Sequence, residues 1–395
     1  MISNKAKSIS PSATLAIDSK FKAMKAEGID VVGFGAGEPD FNTPKHIRDA
    51  AIQAINDGKT KYTPAAGMME LRKAVAKKFK DENGLDYAPT DIVVSNGAKH
   101  SLVNTFMAIC NPGDEVIIPA PYWVSYPEMV KIADGVPVIL QTKEEDNFKA
   151  TAEEYEAAIT DKTKAIILNS PSNPTGMVYT REELQAIADV AVKHNIYVVS
   201  DEIYEHLIYE GEHVSIASLN DKIKDLTIII NGVSKTYAMT GWRIGFTASN
   251  SAIAKVMANL QSHATSNPNS IAQVATIAAL EGGKETVEEM KKAFKERRDY
   301  MVDRINSIDG VSCTKPQGAF YVMMNISALK GKTFYGREIT TAMDLSEMLL
   351  EKAKLAVVPC EGFGNGNYVR WSYATSMENI KEGLDRLEKF LKGEF

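Results

Sequence analysis

The sequence predicts an α/β protein with a mostly parallel central sheet in a large domain and a second, smaller α+β domain. The middle of the chain alternates short β-rich apolar runs with helical segments, and this alternation is typical of a parallel sheet covered by helices. From about Gly283 the pattern changes to a long charged amphipathic segment, short strands and further helices. A chain of 395 residues exceeds one compact layer, so two domains are expected.

Five short apolar runs are the predicted strands of the central sheet. Each has the length of a strand that is buried on both faces. They are IVVS at 92–95, EVII at 115–118, AIIL at 165–168, YVVS at 197–200 and TIII at 227–230.

Helices are predicted between these strands and after them. Thr180 precedes the helical pattern of residues 181–194, and Glu183 lies three residues after Thr180, which is the spacing of a capping box. Further helices are predicted over 285–305, from Asp344 and from Met377. We expect an N-terminal arm with part of the small domain over 1–44, a large ligand-binding domain over 45–284 and the C-terminal small domain over 285–395.

Composition and charge argue against several classes of function. A net charge of −6 disfavours nucleic acid or an anionic membrane as a partner, because both select clustered positive charge. Residues 1–17 lack the apolar core of a secretory signal, and no stretch approaches the roughly 18 apolar residues of a membrane span. The cysteines are odd in number and far apart, which fits neither a disulfide framework nor a zinc site and favours the cytoplasm: Cys110, Cys313 and Cys360.

Polar and charged side chains follow four of the predicted strands. Lys99 comes shortly after the first strand, and the segment NSPSNPTG at 169–176 follows the third. Asp201 and Tyr204 follow the fourth strand, and Lys235 follows the fifth. Ligands of open α/β sheets bind outside the carboxyl ends of the strands. The sequence therefore predicts a ligand site at this edge of the sheet.

Motifs of other chemistries are missing. Residues 33–37 are glycine-rich like a dinucleotide loop, but Glu38 stands where the last glycine of that motif belongs. There is no phosphate loop of the G-x-x-x-x-G-K type, no H-E-x-x-H and no G-x-S-x-G, and no histidines are paired at metal-ligand spacing. We therefore expect no metal.

The most informative motif is GVSKTYAMTGWRIG at residues 232–245. A lysine at the end of a buried strand forms Schiff bases readily, because desolvation favours the neutral, nucleophilic amine. Arg243, eight residues after Lys235, can return to the same site and bind a phosphate through two hydrogen bonds. A lone lysine after a strand is more often a solvated loop residue, so the interpretation depends on the whole motif.

This motif resembles, position for position, the pyridoxal-phosphate (PLP) lysine signature of the class-I aminotransferases of fold type I. The resemblance covers nearly the whole chain and is closest to the subgroup of bacterial aspartate and prephenate aminotransferases. Its other landmarks are GAGEPDF at 35–41, KYTP at 61–64, PYWVSYP at 121–127, NSPSNPTG at 169–176, DEIY at 201–204 and YVRWSYA at 368–374. The resemblance implies the fold of the type I PLP-dependent transferases, with PLP as cofactor.

The resemblance also implies the roles of the catalytic residues. Lys235 carries the cofactor covalently. Once the substrate has displaced this lysine, its amine moves a proton between the α-carbon of the amino acid and carbon C4′ of the cofactor. Asp201 pairs with the protonated pyridine nitrogen and keeps the ring an electron sink. Tyr204 and Asn173 donate hydrogen bonds to the 3-oxygen of the ring. Outside this context, Asp201 would be interpreted as a turn residue or a helix cap, and Asn173 as part of a turn.

Further positions match the cofactor's other contacts. Trp123 is implied to stack on the ring, although an isolated tryptophan is more often a core residue. The phosphate is implied to bind at the start of a helix, where backbone amides point outward. The phosphate site that the resemblance implies comprises Gly97, Ala98, Lys99, Ser234 and Arg243.

Substrate contacts and assembly are carried over in the same way. Arg370 matches the arginine that holds the substrate α-carboxylate, and a planar guanidinium suits a carboxylate better than an ammonium does. Gly37, Lys99, Trp123 and Asn173 complete the implied substrate site, with Lys99 taking the side-chain carboxylate of aspartate or glutamate. Tyr62 matches a residue that reaches the phosphate from the neighbouring subunit, which implies a homodimer with shared active sites.

Two positions depart from the family pattern. Gly232 stands where many relatives have a phosphate-binding hydroxyl, so that Ser234 or another donor has to compensate. Cys360 stands where glycine is commoner, near Arg370.

The favoured reaction is amino transfer from aspartate to 2-oxoglutarate by a ping-pong cycle. An aromatic or prephenate aminotransferase and a carbon–sulfur β-lyase are alternatives on the same scaffold. A PLP-sensing transcription regulator is disfavoured, because such proteins carry a DNA-binding domain before this fold and the present chain is acidic.

Overall fold

The computed structural model describes residues 2–10 and 13–395. Numbered in chain order, the described α-helices are α1 Asn4–Ser8, α2 Ala13–Ala26, α3 Lys45–Asn56, α4 Met69–Asn83, α5 Ala98–Ile109, α6 Tyr126–Ile132, α7 Ala152–Ala158, α8 Arg181–His194, α9 Asp221–Leu226, α10 Ser251–Ala264, α11 Ser270–Glu281, α12 Glu285–Asn306, α13 Ala342–Lys352 and α14 Met377–Lys392. The described strands are β1 Val32–Gly33, β2 Ile92–Ser95, β3 Glu115–Ala120, β4 Val136–Gln141, β5 Thr163–Asn169, β6 Tyr197–Asp201, β7 Thr227–Gly232, β8 Gly245–Ala248, β9 Ser312–Cys313, β10 Tyr321–Asn325, β11 Thr333–Phe334, β12 Arg337–Glu338, β13 Leu355–Ala356, β14 Val358–Pro359 and β15 Tyr368–Ser372.

A sheet of seven strands dominates the described chain, in the order β2-β8-β7-β6-β5-β3-β4. The contacts between β4, β3, β5, β6 and β7 are parallel, whereas β8 runs antiparallel to both of its neighbours. The α/β class with a mostly parallel central sheet is thus confirmed, and all five predicted runs lie in its strands.

Two strands of this sheet were not predicted. Strand β4 is one of the two edge strands and is only partly buried, so its sequence VPVILQ lacks the fully apolar pattern of the inner strands. Strand β8, GFTA, is short and contains Gly245 and Thr247. It is fully buried because it lies between β2 and β7, a position that its composition does not indicate.

The predicted helices are found, with one shifted start. Helix α8 spans 181–194 as predicted, and the Thr180 hydroxyl accepts a hydrogen bond from the Glu183 amide while the Glu183 carboxylate accepts one from the Thr180 amide. Helices α12 and α14 begin where predicted. Helix α13 begins at Ala342, two residues before the predicted start, because the Thr341 hydroxyl caps it by accepting the Asp344 amide at 3.0 Å.

A second sheet, in the order β14-β15-β10-β9, lies against a separate hydrophobic core. This core joins side chains of α12, α13 and α14 to Trp371 on β15, which is fully buried. Ile203, Tyr204 and Leu207, which follow β6 of the central sheet, belong to the same core. The segment after β6 is therefore anchored on both sheets, and the functional residues lie where the sheets meet.

No helix among the described residues is long and apolar enough to cross a bilayer.

Candidate active site

A cavity of about 620 Å³ opens at the carboxyl ends of β5, β6 and β7. Asn169 and Asp201 are the last residues of β5 and β6, and Lys235 follows β7 by three residues. The predicted site residues that line the cavity are Gly37, Ala98, Lys99, Trp123, Asn173, Asp201, Tyr204, Ser234, Lys235, Arg243 and Arg370. The convergence expected from the strand order is therefore present.

The Lys235 amine lies in the wall of this cavity. Its Nζ donates a hydrogen bond to the carbonyl oxygen of Gly37 and lies 5.8 Å from the centre of the Phe320 ring. Burial lowers the pKa of Lys235 to about 8, while the carboxylate of Glu38 acts in the opposite direction. A substantial fraction of this amine is therefore neutral near pH 8, and the neutral amine is the nucleophilic form.

The Asp201 carboxyl group is buried at the end of β6. Tyr126 donates its hydroxyl proton to Oδ2 at 2.7 Å, and the Ile203 amide donates to Oδ1 at 3.3 Å. Burial nevertheless raises the pKa of Asp201 to about 6. Burying a carboxylate is costly unless a cation or several donors compensate. Asp201 is therefore poised to take a positive partner from the cavity.

Tyr204 and Asn173 each contact another polar side chain of the site. The Tyr204 hydroxyl lies 3.1 Å from the Tyr321 hydroxyl, and burial raises the pKa of Tyr204 well above its usual value. The Asn173 amide donates to Asn169 Oδ1 at 2.8 Å, and Asn173 Oδ1 accepts a hydrogen bond from Arg370 at 3.0 Å. Both side chains are thus held in fixed positions.

Arg370 is a buried cation on β15, with 5% of its surface exposed. Its Nη1 donates to Asn173 and its Nη2 donates to the Gly35 carbonyl at 3.2 Å, whereas its Nε is buried without a partner. The guanidinium lies 4.3 Å from the Tyr321 ring centre and 4.9 Å from that of Phe363. No ion pair found in the described chain includes Arg370. A buried guanidinium without a carboxylate partner is suited to bind an anion from solution.

A second cationic part of the cavity lies at the start of α5, where Lys99 and Arg243 line the wall. Gly97 has a φ of +88° and precedes α5, and a Cβ at this position would lie 2.3 Å from Arg243 Nη2. Lys99 lies in the first turn of α5, with its Nζ 4.9 Å from the Trp123 ring centre. Burial and the Arg243 charge lower the pKa of Lys99. A helix N-terminus with two nearby cations is an expected binding site for a phosphate.

Gly97 and Tyr62 are the predicted site residues that do not line the cavity. Gly97 contributes indirectly, because its missing side chain leaves room for the Arg243 guanidinium. Tyr62 is 91% exposed and does not line the cavity of its own chain, so its role across a subunit interface stays a prediction.

The two departures from the family pattern lie in tightly packed surroundings. A Cβ on Gly232 would lie 2.9 Å from the Ile244 carbonyl oxygen on the neighbouring strand segment, and Ser234 lines the cavity instead. Cys360 is fully buried beside Phe363, and burial raises the pKa of its thiol.

Sequence reasoning assigned no role to Tyr126, Tyr321 or Glu38. Tyr126 lies inside the PYWVSYP landmark and Glu38 inside GAGEPDF, so both had a local signal. Tyr321 lies on β10 of the second sheet, 117 residues from Tyr204 in the chain, and no local pattern connects the two.

Comparisons with known proteins agree with this geometry. Residues 29–387 match the family described as aminotransferase class I and II. The chain is 52% identical over 393 residues to an aspartate aminotransferase of Bacillus sp. (strain YM-2), with 99% of each protein covered. It is 47% identical to a probable aspartate/prephenate aminotransferase of Aquifex aeolicus, with 97% of each covered.

Solved structures of aspartate aminotransferases are similar to the chain over nearly its whole length. The aspartate aminotransferase of Rhizobium meliloti superposes with a TM-score of 0.96 at 44% identity and 99% coverage of both chains. The aspartate aminotransferase of Thermus thermophilus with maleate gives 0.94 at 44% identity, again with 99% of both chains covered.

The cavity has the charges that PLP requires. The cationic end near Arg243 suits a phosphate, the buried carboxyl of Asp201 suits a protonated ring nitrogen, and the partly neutral Lys235 suits an aldehyde. The orphaned Nε of Arg370 remains available for a second anion. The chain belongs to the class I and II aminotransferase family and is a PLP-dependent aminotransferase of fold type I.

Proposed function

We propose that the protein transfers the amino group of aspartate to 2-oxoglutarate, giving oxaloacetate and glutamate in two half-reactions. The observation that carries this proposal is the buried Arg370, which has no carboxylate partner in the part of the chain that the structure describes and shares one cavity with Lys235 and Asp201. Relatives named aspartate aminotransferase at 50 to 52% identity over nearly the whole chain support aspartate as the donor.

PLP, when bound, would supply an aldehyde carbon that holds the amino group between the two half-reactions and a ring that withdraws electrons from the reacting carbon. The Lys235 amine carries the cofactor and then accepts the proton from the substrate α-carbon. Its pKa near 8 suits both tasks, because an acid–base group works best with a pKa close to the working pH.

Asp201 is proposed to keep the ring nitrogen protonated. Its carboxylate loses part of its burial cost when a cation lies beside it. Tyr126 orients this carboxylate through the hydrogen bond to Oδ2. Tyr204 and Asn173 are proposed to donate to the 3-oxygen of the ring, and Trp123 to cover its face.

Two cations are proposed to recognise the substrate. Arg370 binds the α-carboxylate, because its planar guanidinium offers two parallel N–H donors. Lys99 binds the second carboxylate of aspartate or glutamate, and Gly37 leaves the backbone free to approach the first one. The phosphate is proposed to lie against Gly97, Ala98, Lys99, Ser234 and Arg243.

A second candidate is amino transfer to prephenate or between aromatic substrates. Part of the cavity wall is apolar, formed by Ile17, Phe21, Val358 and Phe363. An apolar wall accepts a ring side chain at little cost in free energy. Relatives named aspartate/prephenate aminotransferase support this second activity.

We also propose a homodimer in the cytoplasm, with Tyr62 contributing to the phosphate site of the neighbouring subunit. The exposed position of Tyr62 leaves it free for such a contact. The division into an arm over 1–44, a large domain over 45–284 and a small domain over 285–395 is proposed on the same family resemblance.

Substitution of the lysine tests the catalytic proposal. Lys235→Ala should bind PLP without the absorbance band of a lysine-bound cofactor and lose transamination by at least roughly a thousandfold. The exposed Lys162→Ala is the control and should behave like the wild type. Transamination by Lys235→Ala near the wild-type rate would disprove the role of Lys235.

Initial rates with aspartate, phenylalanine, prephenate and cystathionine test the substrate. The highest kcat/KM with aspartate supports the first candidate. A higher kcat/KM with prephenate or phenylalanine supports the second candidate instead. Release of a thiol from cystathionine identifies a β-lyase.

A further inference from the structure

Tyr321 joins the two halves of the active site. It is the first residue of β10, only 1% exposed, and lines the cavity. Its hydroxyl oxygen lies 3.1 Å from the Tyr204 hydroxyl, and its ring centre lies 4.3 Å from the Arg370 guanidinium carbon. One side chain therefore contacts both the residue proposed to bind the cofactor oxygen and the residue proposed to bind the substrate carboxylate.

The sheet register explains how Tyr321 and Arg370 meet. Strands β10 and β15 are antiparallel, with Tyr321 opposite Ser372 and Met323 opposite Arg370. Residues two apart point to the same face of a strand, and diagonal neighbours lie within reach of long and aromatic side chains. The contact is therefore fixed by the backbone of the second sheet.

The ring of Tyr321 holds Arg370 in place. Phe363 lies on the same guanidinium at 4.9 Å, so two aromatic rings contact this cation. Arg370 donates to two neutral oxygens, those of Asn173 and Gly35, and no carboxylate of the described residues pairs with it. In a desolvated site, cation–π contacts are a strong attraction for such a group.

The hydroxyl of Tyr321 determines what Tyr204 can do. Each phenol has one proton to donate. If Tyr321 donates to Tyr204, the single proton of Tyr204 is left to point into the cavity. Hydrogen bonds in a chain polarise one another, so a donated proton also makes Tyr204 a stronger donor.

We propose that Tyr321 is a positioning residue that aligns Tyr204 through its hydroxyl and Arg370 through its ring. This inference rests on the proposed function, because it takes Tyr204 and Arg370 in the roles given above. The hydroxyl and the ring then have separate effects. The hydroxyl controls the proton affinity of the cofactor-bearing lysine, and the ring controls the affinity for substrate carboxylates.

Tyr321→Phe tests the hydroxyl in the PLP-loaded enzyme. A weaker Tyr204 donor stabilises the negative charge on the 3-oxygen less, so the lysine–cofactor link should keep its proton to higher pH. The midpoint of its absorbance titration should rise by about 0.7 pH unit, the equivalent of one neutral hydrogen bond. The charged groups around this link are Asp201, Arg370, Glu38 and Arg243, and the substitution changes none of them.

Tyr321→Leu tests the ring. KM for both aspartate and 2-oxoglutarate should rise roughly tenfold, because Arg370 loses a desolvated cation–π contact. In Tyr321→Phe, which keeps the ring, both KM values should stay within about twofold of the wild type.

Tyr373→Phe is the matched control. Tyr373 is also buried, and its hydroxyl bonds to the backbone oxygen of Ala319 at 3.2 Å, outside the cavity lining. It should lower the melting temperature as Tyr321→Phe does, without moving the titration midpoint or either KM. If Tyr321→Phe shifts the midpoint no more than this control does, the inference is wrong. A wild-type protein without a lysine–cofactor band would instead refute the proposed function itself.

Discussion

Replacing Asp201 with Asn should stabilise the cofactor-free protein at alkaline pH while removing a charge that the proposed reaction needs. Burial raises the pKa of this carboxyl from 3.8 to about 6, despite the hydrogen bonds from Tyr126 and the Ile203 amide. A carboxyl with a higher pKa in the folded state holds its proton more tightly when folded. Its ionisation therefore destabilises the fold, and the effect grows from about pH 4 to about pH 6.

The magnitude follows from the size of the pKa shift. About two pKa units at roughly 1.4 kcal/mol each give about 3 kcal/mol of destabilisation at pH 8, and about half of that at pH 5. Asn has nearly the same size as Asp and no charge. The stability of Asp201→Asn relative to the wild type should therefore increase by about 1.5 kcal/mol between pH 5 and pH 8.

Urea unfolding of the cofactor-free proteins, at one protein concentration and at pH 5, 6.5 and 8, measures this difference. The exposed Asp309→Asn removes the same charge at the surface and is the control. Added PLP should reverse the order, because a ligand stabilises the variant that binds it more tightly. A stability difference that is equal at pH 5 and pH 8 would refute the argument that Asp201 is held ionised against a burial cost.

Two further substitutions probe the surroundings of the site. Lys78→Met removes the lysine partner of the buried Glu205 carboxylate and leaves it only the more distant histidines, and should lower the free energy of unfolding by about 3 kcal/mol in urea titrations at pH 8. Addition of Glu205→Gln should recover part of this loss, and an additive double variant would contradict the pairing. Gly97→Ala places a methyl group 2.3 Å from Arg243 Nη2 and should weaken PLP binding at least roughly tenfold in spectroscopic titrations. Gly113→Ala is its control, because Gly113 has nearly the same φ of +89° and no atom within 4 Å of the added Cβ; equal loss of PLP affinity in both variants would assign the effect to backbone strain.

The sequence predicted those parts of the site that depend on local order. Strands buried on both faces are continuous apolar runs, and their carboxyl ends place Asp201 and Lys235 at one edge of the sheet. The capping box of α8 is likewise encoded within four residues. These features need only the neighbouring sequence, so pattern reasoning finds them.

Features that depend on contacts far apart in the chain were not accessible in this way. Strand β8 is short and of mixed composition, and it is buried only because β2 and β7 flank it. Tyr321 reaches Tyr204 and Arg370 through the register of the second sheet, which no periodicity in the sequence reveals. The roles of Arg370 and Asn173 were inferred by resemblance, and their contact at 3.0 Å joins residues 197 positions apart.

Neutral hydrogen-bond partners explain why the charges of this cavity remain available to ligands. Asp201 and Arg370 have opposite charges and line the same cavity, yet no ion pair joins them among the described residues. Asn173 Oδ1 accepts a hydrogen bond from Arg370, whereas the Asp201 carboxylate accepts hydrogen bonds from the Tyr126 hydroxyl and the Ile203 amide. These neutral groups satisfy donors and acceptors without neutralising a charge. A direct ion pair would be stronger than these hydrogen bonds, but it would occupy both binding groups. In the proposed function, the ring nitrogen and the substrate carboxylate supply the two missing partners, so the neutral partners of Asp201 and Arg370 are as necessary to the site as the two charges.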